Sequence, residues 1–249
     1  MTAAMRAALA LFLAAAAPVS AETPAPETGA PFEASYEVYI GGLKVGALTL
    51  GVERGGARYA ASARMEAAGL ASWLFPGAAE AEAFGADTPR GLAPEAFVAD
   101  GRFGDAAQRV EMDFGATGLA LAAEPPLRAR DYDADLAAMG DALDPLSAAV
   151  AALAPAPAAA VCDRTLSVFD SRRRFDLLLG PAVESGGTLR CEGRFRRVAG
   201  YKDKHLRQPD QPFTAWFSVN QDGAATLMRA QAPTDFGHAV AVRRSATGL

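Results

Sequence analysis

Three lysines, two cysteines, two histidines and two tryptophans are all that this chain of 249 residues holds of those types. Each shortage excludes something. Two isolated cysteines and His205 and His238 show no ligand spacing, so neither a zinc site nor any other metal centre is expected. GxSxG, HExxH, a P-loop and GxGxxG are all missing, which leaves no recognisable machinery for nucleophilic, metal-dependent or nucleotide chemistry and implies no cofactor. The net charge is −5, a poor match for nucleic acid or for anionic membrane surfaces. Arginine outnumbers lysine heavily and alanine is abundant, as in chains from GC-rich bacterial genomes.

What is present begins with an address. Arg6 opens a short positive start, Ala7–Ala17 is an uncharged apolar run, and Val19-Ser20-Ala21 sets small residues before Glu22. That three-part pattern is a cleavable secretory leader over 1–21, too short to span a bilayer. No later run of 18 uncharged apolar residues occurs, so no transmembrane segment is expected after cleavage. The expected location is the periplasm. Residues 22–31 are rich in Pro, Thr and Ala and read as a disordered lead-in. Residues 32–249 are expected to form one β-rich domain.

Phe32, Ala34, Tyr36, Val38 and Ile40 alternate with polar neighbours, the period of a strand with one buried face. Gly41-Gly42 and Gly55-Gly56 then turn the chain through Leu48–Val52 and Tyr59–Met65, giving an antiparallel meander. Ala78–Ala86, Glu95–Phe103, Gln108–Phe114 and Leu119–Ala123 continue it. Ala67–Phe75 has Leu70, Trp73 and Leu74 at helical spacing before Pro76. A second short helix opens at Asp144, an N-cap ahead of Pro145, with Leu146, Val150 and Leu153 as its stripe. Strands resume at Arg164–Phe169, Arg173–Leu179, Leu189–Phe195, Phe213–Val219, Thr226–Ala232 and Phe236–Arg243. About a dozen strands with two short helices predict a strongly curved antiparallel sheet or a β-barrel-like domain.

Cys162 and Cys191, with 28 residues between them, are expected to pair as a disulfide in an oxidising compartment. Alternation places Cys162 with Leu166 and Val168, and Cys191 with Leu189 and Phe195, on inward faces. Such a bridge contributes roughly 3–4 kcal/mol in the loop-entropy picture. Residues 160–209 hold 11 basic side chains, Arg164 and Arg172 to Arg207 among them, against six acidic ones. They read as a solvated outer face, and alternatively as a docking or anion-binding face. Asp131, Asp133 and Asp135 resemble a calcium loop but lack its Gly and Glu.

From Phe32 almost to the C-terminus the chain resembles the DUF-3108 family of exported bacterial proteins. The resemblance rests on Tyr36, Ile40-Gly41-Gly42, Val45-Gly46, Tyr59, Gly69-Leu70 and Pro94, then on Asp144-Pro145-Leu146-Ser147. It continues through Val168-Phe169-Asp170, Phe175, Gly200 and Trp216. Gly237-His238 and the missing proline near Ala224-Ala225 depart from it. These are turns and core aromatics, and the resemblance brings over no catalytic residue.

Three functions follow, in order. The first is a non-catalytic binder or carrier of a lipid-like ligand, with inward Ala34, Ala61, Ala63 and Ala215 leaving room beside Tyr36, Phe175, Phe195 and Phe217. The helices near Leu70–Phe75 and Pro145–Leu153 would close the ends of that domain. The second is an envelope interaction module whose partner protein docks on the Arg-rich face. The third is a hydrolase of unrecognised type.

Overall fold

The structure, a computed structural model, describes residues 31–69, 72–73 and 76–248. The leader over 1–21, all but the last residue of the lead-in 22–31, and residues 70–71 and 74–75 of the helix expected over Ala67–Phe75 lie outside the described residues.

Alternation becomes strand from the first described element. A meander of seven strands comes first: β1 (Phe32–Ile40), β2 (Leu43–Gly55), β3 (Arg58–Ala67), β4 (Gly77–Thr88), β5 (Gly91–Phe103), β6 (Ala106–Gly115) and β7 (Gly118–Glu124). An irregular crossing then leads to α1 (Pro145–Leu153) and a two-residue strand β8 (Ala156–Pro157). The second meander is β9 (Arg164–Phe169), β10 (Arg174–Ser185), β11 (Thr188–Ala199), the short helix α2 (Asp203–Leu206), β12 (Gln211–Val219), β13 (Ala224–Thr234) and β14 (Gly237–Thr247). All fourteen strands join one antiparallel sheet, ordered β7-β6-β5-β4-β3-β2-β1-β14-β13-β12-β11-β10-β9, with β8 beside β13. The two meanders meet where β1 pairs β14.

The sheet curls strongly but does not close. β7 and β9 are its two edges. β5 and β9 stand ten places apart in the order, yet both touch α1. A flat sheet would hold them about 48 Å apart at the usual strand spacing. Register shifts after Ser35, Val38, Phe84, Arg174, Leu179 and Trp216 supply part of the bend, since bulges increase local twist. The β9 edge is not left bare. Leu143 accepts from the Phe169 amide at 2.9 Å and donates to the Ser167 carbonyl at 2.8 Å, which satisfies groups that would otherwise invite pairing with another chain.

Asp144 caps α1 as its position before a proline predicts. Its Oδ1 accepts from the Leu146 and Ser147 amides, each at 2.9 Å. Two expectations need correction. α1 does not close an end of the domain; it lies in the concavity, in contact with β3, β4, β5, β9 and β13, with Leu146, Ser147 and Val150 buried. Cys162 does not share a strand alternation with Leu166. It precedes β9, set off by Asp163 in the left-handed region (φ 51), and is buried by that turn instead. The strand expected over Arg173–Leu179 also runs further, to Ser185, past the irregularity at Leu179.

Candidate functional site

The concave face divides into two unequal parts. Over β2 to β6, Leu50, Ala61, Ala83, Phe97 and Met112 are buried against α1 and the crossing segment. Tyr59 donates or accepts a 2.5 Å hydrogen bond with Ser147, and Ser147 hydrogen-bonds Asp144 in turn. This Tyr59–Ser147–Asp144 chain joins β3 to the start of α1. Burial pushes the Tyr59 hydroxyl up to about 12, opposed by its bond to Ser147, and burial also raises the Asp144 carboxyl. Asp144 and Ser147 are both fully buried and no histidine joins them, so the chain ties the helix down and offers no exposed nucleophile.

Over β9 to β14 the face is only partly covered. Leu153 and Ala152 at the end of α1, Leu166, Leu177, Phe213, Phe217, Leu227, Ala230 and Ala241 line an apolar cleft of about 330 Å³. That lies at the lower end of the range for small-molecule pockets. Small residues keep it open: Ala230 pairs with Ala241 and Ala232 with Ala239 across β13 and β14, and Ala215 with Ala230 across β12. Gly193 in β11 has no side chain because the Phe213 ring lies directly over its Cα, and a Cβ there would collide with it. Tyr36 marks the seam between the two parts. Its hydroxyl donates to the Leu227 carbonyl at 3.2 Å, and burial pushes it up to about 12 against the opposing charge of Arg243. A larger depression, about 560 Å³, lies over β9–β11 among Arg164, Thr165, Leu178, Glu192 and Arg194; Arg164 borders both it and the apolar cleft, and charged side chains rim it.

Two polar residues line the cleft, Gln231 and Arg164. Gln231 turns away, its Oε1 accepting from Arg229 at 2.7 Å. Among the described residues, Arg164 is therefore the one charged side chain that lines the cleft. Its Nη2 donates to the Ala151 carbonyl in the last turn of α1 at 2.7 Å, while its Nε is buried without a partner. Burial alone lowers its basicity, and no carboxylate offsets that effect. Sequence reasoning counted Arg164 among eleven basic residues and did not single it out. The available signal was phase: Arg164 lies two residues before Leu166 and four before Val168, on the apolar face of β9.

The other sequence candidates fall elsewhere. Cys162 and Cys191 stand at disulfide-bonding distance with Cα atoms 5.8 Å apart, tying the start of β9 to β11. Ala34, Ala61 and Ala215 are buried as expected, but the first two lie where β1 and β3 are filled, and only Ala215 borders the cleft. Phe175 and Phe195 pack at 5.0 Å centroid to centroid, half-buried further along the same face. Four arginines of the Arg-rich segment are paired with acids: Arg172 with Asp133, Arg174 with Asp141, Arg190 with Glu192 and Arg196 with Asp210. Asp133 and Asp135, from the calcium-like run, pair with arginines and cap a short turn respectively. Among the described residues no group of three His, Cys, Asp or Glu is placed to hold a metal ion, and no helix is long and apolar enough to cross a membrane.

A family model described as a protein of unknown function, DUF3108, matches residues 35–243. Among solved structures, one similar chain is the β-barrel-like protein of the domain of unknown function DUF1849 from Brucella abortus. It is 11% identical with a TM-score of 0.45, over 87% of this chain and 96% of that one. No curated protein matches.

Proposed function

The chain belongs to the DUF3108 family, and we propose that this member is a non-catalytic binder or carrier of a hydrophobic, lipid-like ligand. The apolar cleft over β9–β14 carries the reading. The concave face is closed by α1 over β3–β5 and left partly uncovered over β9–β14. An apolar concavity left open beside a well-packed one is the usual form of a ligand site. The Tyr59–Ser147–Asp144 chain, which superficially resembles hydrolytic machinery, is buried at all three residues.

The protein does this work outside the cytoplasm. The leader-like 1–21 segment and a cysteine pair at bonding distance both support export. Amino-terminal sequencing of material recovered from the periplasm is expected to begin at Glu22 or within a few residues of it.

The test of carriage is a titration with an uncharged fluorescent probe, N-phenyl-1-naphthylamine. Saturable binding to the folded protein is expected, abolished by Ala230→Phe, which fills the cleft. A linear, unsaturable signal that Ala230→Phe leaves unchanged refutes carriage. It would turn attention to the outer arginines Arg194 and Arg207 as a docking face for an envelope protein.

A further inference from the structure

We propose that the cleft takes an anionic amphiphile, with a single oxyanion head group on Arg164 and its tail against Leu166, Leu177, Phe213 and Phe217. The inference rests on the carrier reading and adds the chemical class of the ligand. A guanidinium has five donors in a planar fork suited to carboxylate or phosphate. One of these serves the Ala151 carbonyl; Nε is buried and unmet. Every salt bridge found among the described residues involves some other cation, although the chain carries 29 acidic residues. A desolvated cation with no carboxylate costs free energy unless something supplies the opposite charge, and a head group would do so. The surrounding wall is aliphatic and aromatic, which suits a hydrocarbon tail and leaves no second polar anchor.

The experiment compares cis-parinaric acid, a fluorescent fatty acid, with its methyl ester. The free acid is expected to bind at least about tenfold more tightly than the ester, the size of one charged hydrogen bond. Arg164→Met should erase that preference while leaving N-phenyl-1-naphthylamine binding intact, and Arg164→Lys should restore part of it. Competition by dodecanoate and dodecyl phosphate, with dodecanol as the uncharged control, distinguishes carboxylate from phosphate heads. Equal binding of acid and ester by the natural protein overturns the assignment of Arg164 without touching carriage. That comparison stands even if Arg164→Met fails to fold. Failure of every probe overturns both.

A different observation concerns one end of the sheet, where the turns carry four of the exposed large apolar side chains: Leu43 (59% exposed), Trp73 (81%), Phe103 (52%) and Phe236 (80%). The turns that carry them are neighbours. Gly41 donates to the His238 carbonyl beside the Phe236 turn, Ala68 donates to the Val45 carbonyl, and Gly104 donates to the Pro76 carbonyl. The same end continues into the β9–β10 and β11–β12 connections, which hold Arg172, Arg173, Lys202, Lys204 and Arg207 against Asp170, Asp203 and Asp210. Arg172 pairs with Asp133 and Asp210 with Arg196, and Asp235 stands beside Phe236, so Arg173, Lys202, Lys204 and Arg207 supply the positive charge. The cleft reaches Ala232 and Ala239, two pairs short of the Phe236 turn. We infer that this end docks on an anionic bilayer surface, the apolar tips entering the interface and the basic arc facing the head groups.

Co-sedimentation with vesicles of phosphatidylethanolamine and phosphatidylglycerol tests it. Binding is expected to exceed that to phosphatidylcholine vesicles, to weaken with salt, and to drop at least about tenfold in Trp73→Ser/Phe236→Ser, since each exposed ring supplies apolar area to the interface. Undiminished binding of that variant, or no binding at all, overturns the inference. So does a dimer in solution that the same two substitutions dissolve, because the cover would then be a second copy.

Discussion

β1–β7 and β9–β14 present the same alternating apolar pattern to the same concavity, but α1 and the crossing segment fill the first and leave the second partly open. Over β2–β6 the inward residues are Leu50, Phe97 and Met112, all at or below 5% exposure. Over β9–β14 the lining is mixed: Leu166, Ala215, Phe217 and Leu227 are buried, while Leu177, Phe213, Ala230 and Ala241 are half-buried. The difference lies less in composition than in what each face meets. One half spends its apolar surface on stability; the other keeps it available. A domain can therefore be firmly held together and still offer a binding surface, provided the two tasks fall on different strands.

The sharpest way to break the comparison is to truncate the same side chain in each half. Leu50→Ala is expected to cost about 2–5 kcal/mol and Leu177→Ala no more than about half as much, because Leu177 already borders open space. Urea unfolding midpoints measure both, and equal losses would mean the cleft is as well packed as the filled half.

The cysteine pair belongs wholly to the open half, where it ties β11 to the start of β9. Cys191→Ala is expected to lower stability by about 2–4 kcal/mol, and non-reducing peptide mapping should recover Cys162 linked to Cys191. Two freely alkylated thiols in the folded protein would contradict it.

Overpacking gives the reciprocal contrast. Ala61→Phe, in the filled half, should destabilise by about 1–3 kcal/mol and leave probe binding intact. Ala230→Phe, in the cleft, should leave the melting temperature nearly unchanged and abolish probe binding. Reversal of the two patterns would place the ligand site under β3 and not under β13.

The smallest effect is one of pH, at the seam and in the filled half. Burial raises Tyr36 and Tyr59 from the ordinary value of 10.0 to about 12, so the fold favours their neutral forms. Their contribution is fully present below pH 10 and is lost as pH climbs through about 12. Stability should stay flat to about pH 10 and then fall, and Tyr59→Phe should make that fall shallower. Parallel curves for the two proteins would show that Tyr59 is not desolvated.

Much of this was legible beforehand. Alternation located nearly every strand, the Gly-Gly turns located the meander, and Asp144-Pro145 located the start of α1 to the residue. Inward assignments for Tyr36, Ala61, Cys191 and Phe217 follow from a period of two and agree with their burial. The site was not legible in the same way. Arg164 stands among ten other basic residues in one segment, and only its phase with Leu166 sets it apart. The small residues at Ala61 and Ala63 looked like room for a ligand, yet they let α1 approach β3. The same alanine signal meant space at Ala230 and contact at Ala61, and no local pattern distinguishes the two.

The amino-acid order determined, by itself, the properties that depend on near neighbours along the chain: strand period, turn chemistry, a helix cap and the inward face of each strand. These need only backbone geometry and a few adjacent side chains. Only the tertiary structure decided how far the sheet curls, where a nine-residue helix lands within it, and which apolar face that helix leaves uncovered. Those outcomes arise from contacts between β5 and β9, ten strands apart in the sheet, where packing volume and not periodicity chooses the arrangement.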